Sequence, residues 1–206
     1  MRVLKLVSMT FFLWFALSSH AQQWSFNVLL DGKPIGKHVS SLKQENDLRI
    51  LKSEAIFNVK ILFVNAYNYH HTATETWEGD CLTNLVAQTK ENGSIIKTSG
   101  KQKDSGFMLD EQAESLGECV MTFAYWNPKI LGQQKLLNPQ TGDYLDSKVK
   151  HLGTETIQVR GEPVKAAHHV LDTPKFKIDL WYNEHGEWMA LQSTTPEGRK
   201  IRYTLQ

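Results

Sequence analysis

Trp24-Ser25-Phe26-Asn27-Val28-Leu29-Leu30-Asp31-Gly32-Lys33-Pro34-Ile35-Gly36 is the stretch that decides the fold. Trp24, Phe26, Val28 and Leu30 take every second position, with Ser25 and Asn27 between them. Side chains of an extended strand alternate between faces, so the segment has one apolar and one polar face. Asp31-Gly32-Lys33-Pro34 is turn chemistry, and Gly36 to Gln44 reads as the returning arm of a hairpin.

The same pattern continues along the chain. After a turn at Glu45-Asn46-Asp47, Leu48 to Val59 reads as a third strand. Phe57, Val59, Ile61 and Phe63 alternate, and Tyr67, Tyr69 and His71 keep their parity. A single strand from 48 to 78 would be roughly 100 Å long, so the chain must bend, and Asn65-Ala66-Tyr67-Asn68 is the predicted bend. Leu82 to Thr89 and Ile95 to Lys101 flank the hairpin signal Glu91-Asn92-Gly93. Thr156 to Arg160 and Lys165 to Leu171 flank Gly161-Glu162-Pro163. Phe176, Ile178, Leu180 and Tyr182 share one parity, and Lys177, Asp179 and Trp181 the other. Trp188 to Thr194 and Ile201 to Leu205 complete the series. Strands with turns at this spacing predict a mostly β protein, a single antiparallel curved sheet or incomplete β-barrel. Asp110 to Leu116 and Phe123 to Leu131, the latter limited by Pro128, are the predicted pieces of a short helical cap. The stretch Ser105 to Tyr144 is the least strand-like and is expected to cap or plug one end of the sheet.

The chain has 206 residues, with 23 Lys and Arg against 22 Asp and Glu. That balance leaves no basic excess for nucleic acid or acidic lipid. Arg2 and Lys5, the apolar run Leu6 to Leu17, and Ser19-His20-Ala21 have the order of a signal peptide, predicted over residues 1–21. The run is about 12 residues, short of the roughly 20 that span a bilayer. No later run is long and apolar enough for a membrane segment. Residues 22–206 are expected to form one β domain, and the periplasm is the expected location. In that oxidising compartment the even pair Cys81 and Cys119 predicts a disulfide. A metal pair and a redox couple are the alternatives, and the close CxxC of a redox couple is absent.

Several phrases resemble a family of exported bacterial proteins without an assigned function. They are the Trp24–Gly36 hairpin, WEGDCL at Trp77–Leu82, FAYWNP at Phe123–Pro128, LLNPQTG at Leu136–Gly142, and DLWYNEHGEWMAL at Asp179–Leu191. The tail is also similar to a second periplasmic family related in shape to the lipoprotein carriers LolA and LolB. That resemblance implies an open antiparallel half-barrel with an apolar concave face closed by short helices. It implies no catalytic residue.

Motifs that carry chemistry are few. No GxSxG, HExxH, GxGxxG or phosphate-binding loop occurs, so no cofactor is expected. His70-His71 and His168-His169 cannot each grip one ion, because neighbours on a strand face opposite ways. Only a cross-strand pair such as His71 with His169 could bind metal, and no metal is expected. LNPQTG at Leu137–Gly142 reads as a structural turn. Trp181, an aromatic among polar neighbours, indicates a second buried surface or a contact site.

The leading expectation is a periplasmic, non-catalytic protein that binds an apolar small molecule or lipid on the concave face. Its expected lining is Phe57, Val59, Ile61, Phe63, Trp77, Tyr125, Trp126, Phe176, Ile178 and Leu180, and no catalytic residue is assigned. The alternatives are an envelope hydrolase acting on lipid or glycan, and a structural or assembly partner without a small-molecule ligand. The hydrolase would need Asp, His or Ser side chains converging in a desolvated pocket.

Overall fold

A computed structural model describes residues 21–61 and 64–206. The predicted signal peptide therefore lies outside the described residues except for Ala21. Fourteen strands are present: β1 (Gln22–Leu30), β2 (Lys33–Glu45), β3 (Leu48–Ile61), β4 (Val64–Glu78), β5 (Cys81–Glu91), β6 (Ser94–Lys103), β7 (Gly106–Leu109), β8 (Lys135–Leu137), β9 (Tyr144–Asp146), β10 (Lys148–Val159), β11 (Glu162–Asp172), β12 (Lys177–Tyr182), β13 (Trp188–Thr194) and β14 (Lys200–Leu205). Twelve form one antiparallel sheet in the order β10-β11-β12-β13-β14-β1-β2-β3-β4-β5-β6-β7, while β8 and β9 form a separate small hairpin. The β10 and β7 edges are not paired with each other, so the barrel does not close.

Local chemistry sets the hairpins. Asp31 and Gly32 have φ of 50° and 80°, and Asn92 and Gly93 have 47° and 90°. Two successive positive φ values make the turn whose twist matches that of its flanking strands. The chain reverses between Ile61 and Val64, which face each other across the β3–β4 ladder. The bend predicted at Asn65–Asn68 is thus displaced, and those residues belong to β4. Alternation alone cannot locate a reversal between two runs of equal parity.

Alternating side chains put one row of each strand on the concave face. Leu171 and Ile178 from one flank of the sheet share a core cluster with Leu85 and Leu109 from the other. Strands that far apart in the order share one core, with plug residues such as Met121 and Leu137 between them, only if the sheet curls.

Among the described residues the predicted helical cap is not found. The stretch between β7 and β10 is an irregular plug whose one helical piece is a 3₁₀ turn, Pro128–Gly132. Asn127 caps it, its side chain accepting from Lys129 N at 3.1 Å, and Pro128 sits in the first turn. Asp110–Leu116 is not helical because the chain here pairs with β7: Phe107 N donates to Gly117 O at 2.7 Å and Leu116 N to Phe107 O at 2.8 Å. A Cβ at Gly106 would lie 2.5 Å from Gly117 O, so the approach requires glycine there. Val120, Met121, Ile130, Leu136 and Leu137 of the plug are buried in the main core. A disulfide joins Cys81, at the start of β5, to Cys119 in the plug, with Cα atoms 4.8 Å apart.

Trp181 faces away from that core. Its cluster contains Met189, Ala190, Ile157, Val159 and Ala166. Glu162–Ala166 runs past the end of the β11–β12 pairing, which covers Ala167–Asp172. The β10–β11 hairpin therefore bends over the outer face, with a register shift between His151 and Gly153, where φ is 120°. Trp181 stacks on His168 at 4.4 Å and donates its indole N–H to Glu155 at 2.5 Å. Trp181 thus marks a second buried surface.

No helix among the described residues is long and apolar enough to cross a membrane.

Candidate functional site

The concave face encloses a cavity of about 710 Å³. Its position follows from side-chain size in the cross-strand rows. Ser40, Ser53, Ala73 and Ala87 align across β2, β3, β4 and β5, and the next row is His38, Ala55, His71 and Thr89. The Ser and Ala side chains of these rows keep the middle of the floor low.

The floor is long. On β3 the inward residues Leu51, Ser53, Ala55, Phe57 and Val59 all line the cavity, as do Tyr67, Tyr69, His71, Ala73 and Glu75 on β4. From Tyr67 to Glu75 is roughly 26 Å at 3.3 Å per residue. The cavity is an elongated slot that runs along β3 and β4.

The end formed by Val59, Tyr67 and the Thr194–Arg199 turn is aromatic beneath and polar above. Phe57 stacks on Tyr69 at 5.1 Å, Tyr69 on Tyr67 at 6.3 Å, and Tyr203 meets Phe57 edge-on at 6.1 Å. Glu91, Glu197 and Arg199 rim this end. Burial pushes the Tyr69, Tyr125 and Tyr203 phenols well above the ordinary tyrosine range, so they stay protonated.

The two histidines inside the slot are neutral at pH 7. His38 Nε2 lies 2.7 Å from Ser53 Oγ and 3.3 Å from Ser40 Oγ, while its Nδ1 is buried without a partner among the described residues. His71 Nδ1 lies 3.0 Å from Thr89 Oγ1, which donates to the Gln140 carbonyl of the plug at 3.0 Å. Burial lowers both histidines to about 4, with a smaller effect on His38 from His71 and on His71 from His70. At the opposite end, Glu75 is 3% exposed and burial raises its carboxyl to about 7, against two hydrogen bonds that favour the anion.

A model of the family described as a domain of unknown function, DUF6134, matches residues 26–206. The chain belongs to that family. Among solved structures it is similar to the crystal structure of a beta-barrel-like protein of domain of unknown function DUF1849 from Brucella abortus. The TM-score is 0.65 at 8% sequence identity, covering 89% of this chain and 94% of that one. At that identity the likeness is one of fold. No curated protein matches this DUF6134 chain.

Of the residues expected to line the site, Phe57, Val59, Tyr125, Trp126, Phe176 and Ile178 do border the slot. Trp77 and Leu180 do not. Both have 0% exposure in the core cluster they share with the plug, which fills the space in front of them. Phe63 lies outside the described residues, and Ile61 is described only by its backbone pairing with Val64. His71 turns into the slot while His169 packs beside His151, at 4.8 Å between rings, so the suggested cross-strand metal pair does not form. Among the described residues no cluster of His, Cys, Asp and Glu could hold a metal. The LNPQTG stretch is a turn, with Gly142 N donating to Asn138 O at 2.9 Å, and its Asn138, Pro139 and Gln140 border the slot.

Sequence reasoning missed His38, Ser40, Ser53 and Glu75 in this DUF6134 site. A signal existed for Glu75: it shares strand parity with Tyr67, Tyr69, His71 and Trp77. An acid in an apolar row is the informative anomaly.

Proposed function

We propose that this protein is a non-catalytic binder of an apolar, lipid-like molecule, held as a single extended chain in the concave slot, and that it works in the periplasm. The observation that carries the reading is the cavity itself: about 710 Å³, elongated along β3 and β4, over a floor that includes Ser40, Ser53, Ala55 and Ala73. The volume falls within the roughly 300–1,000 Å³ of small-molecule sites. Burial of apolar ligand surface, at about 25 cal/mol per Å², supplies the affinity. A filled interior would have favoured an assembly partner instead. The periplasmic location rests on the leader-like start of the sequence and on the Cys81–Cys119 disulfide, a linkage of oxidising compartments.

The pair His38–Ser53 favours a second reading, hydrolysis. It has the distance of a nucleophile and its base, 2.7 Å. It lacks an orienting acceptor on Nδ1, and a histidine lowered to about 4 is a poor base at neutral pH. Binding is therefore the better-supported function.

The test is displacement of N-phenyl-1-naphthylamine by dodecyl-chain compounds. Wild type is expected to bind the dye and release it to the chain compounds. Ala73→Phe, which places a ring on the floor, is expected to abolish uptake while the fold is retained. Equal uptake by wild type and Ala73→Phe would remove the slot as the site.

A further inference from the structure

Resting on that reading, we propose that the slot takes its ligand polar end first, and that Glu75 at the inner end grips a carbonyl oxygen, as of a long-chain ester or protonated fatty acid. Glu75 Oε2 accepts two hydrogen bonds, from Trp77 Nε1 at 3.1 Å and from the Thr122 hydroxyl at 3.2 Å. Its Oε1 has no partner among the described residues, although the side chain lines the cavity and is 3% exposed. Two donors on one oxygen make Oε2 the carbonyl oxygen of the neutral acid. The proton then sits on Oε1, and the carboxyl presents an O–H to the slot. A donor in an apolar end wants an acceptor, and leaving it unmet is costly.

The surroundings favour the neutral form of this acid. Leu51 of β3 and Leu85 of β5 flank Glu75 in register. Thr122 and Trp126 approach from the plug without charge, and the inward titratable group before it on β4 is His71, itself neutral. Arg49 is engaged elsewhere: it bonds the Gly79 carbonyl, pairs with Asp80 at 3.2 Å, and lies over the Trp126 ring at 4.7 Å. Burial raises the Glu75 carboxyl to about 7. Trp126, on the same wall, has a buried indole N–H without a partner among the described residues. A ligand ending in an ammonium would need the ionised acid.

The experiment compares methyl dodecanoate, dodecane and dodecylamine as displacers of N-phenyl-1-naphthylamine, from wild type, Glu75→Gln and Glu75→Leu, between pH 5 and 9. Wild type is expected to prefer the ester over the alkane about two- to tenfold, the range of one net hydrogen bond. That preference should fade above pH 7 as the donor ionises. Glu75→Gln keeps an N–H donor, so it should keep the preference and lose the pH dependence; Glu75→Leu should lose the preference and still bind the alkane. Equal binding of ester and alkane by wild type overturns the proposal while leaving chain binding intact. A preference for dodecylamine, or an ester preference that survives Glu75→Leu, also overturns it. Failure of all three compounds to displace the dye, or of the dye to bind, removes the underlying function and this inference with it.

Discussion

Tyr182 on β12 donates its phenol to the backbone carbonyl of Tyr125 in the plug, at 2.8 Å. This bond fixes the side of the plug that faces the slot, because Tyr125 also packs against Trp188 at 5.3 Å. Tyr182→Phe keeps the ring and strands a partly buried carbonyl. It is expected to lower unfolding free energy by about 1–3 kcal/mol. Chemical denaturation followed by tryptophan fluorescence measures it, and an unchanged midpoint would mean the plug is held by packing alone.

Cys81 and Cys119 close a loop of 38 residues between β5 and the plug. In the chain-entropy account the link is worth on the order of 4 kcal/mol. Paired Cys→Ser substitution is expected to lower the denaturation midpoint by a corresponding amount. Because the plug roofs the slot, dye binding should fall more steeply with denaturant in that variant than in wild type.

Glu75 binds its proton up to about 7 in the folded chain against 4.5 when exposed. Its folded-state pKa is raised, so its contribution to stability is present below about 4.5 and is lost as pH climbs to 7. The loss is roughly 3 kcal/mol. His38 and His71, lowered from 6.5 to about 4, act oppositely and withdraw stability as pH falls from 6.5 toward 4. Wild type should thus be most stable near pH 6.5. Glu75→Gln should match it near pH 5 and exceed it near pH 8, as read from urea midpoints. A constant difference between the two across that range would contradict the buried, neutral acid.

Trp181 is 5% exposed under the β10–β11 hairpin. Trp181→Ala removes the side chain that fills this second cluster and is expected to cost about 3–5 kcal/mol. Uptake of dye by the folded fraction should be unaffected, since Trp181 lies on the opposite face of the sheet from the slot. A loss of dye affinity at full folding would show that the outer layer and the slot are coupled.

Much of this fold was legible because strand alternation and turn residues are local signals. The Asp31-Gly32 and Asn92-Gly93 turns fall where their residue types place them, and Trp181 declared its second surface by standing on a polar parity. The plug was not legible in kind: Phe107 and Leu116 exchange backbone hydrogen bonds with each other's neighbourhood, a non-local pairing that outcompetes the local helical preference of Asp110–Leu116. The site was half legible. Large aromatics such as Phe57 and Tyr125 announced a wall, but a cavity is made by what is small. Ser40, Ser53, Ala55 and Ala73 become a floor only once register aligns them.

The central claim is that the concave slot holds a single apolar chain, and native mass spectrometry of protein purified without detergent or organic solvent tests it most directly. The account predicts an added mass of one long-chain molecule, released by denaturation and absent from Ala73→Phe. Repeated preparations that show only the mass of the polypeptide, together with no uptake of offered chain compounds, would contradict it.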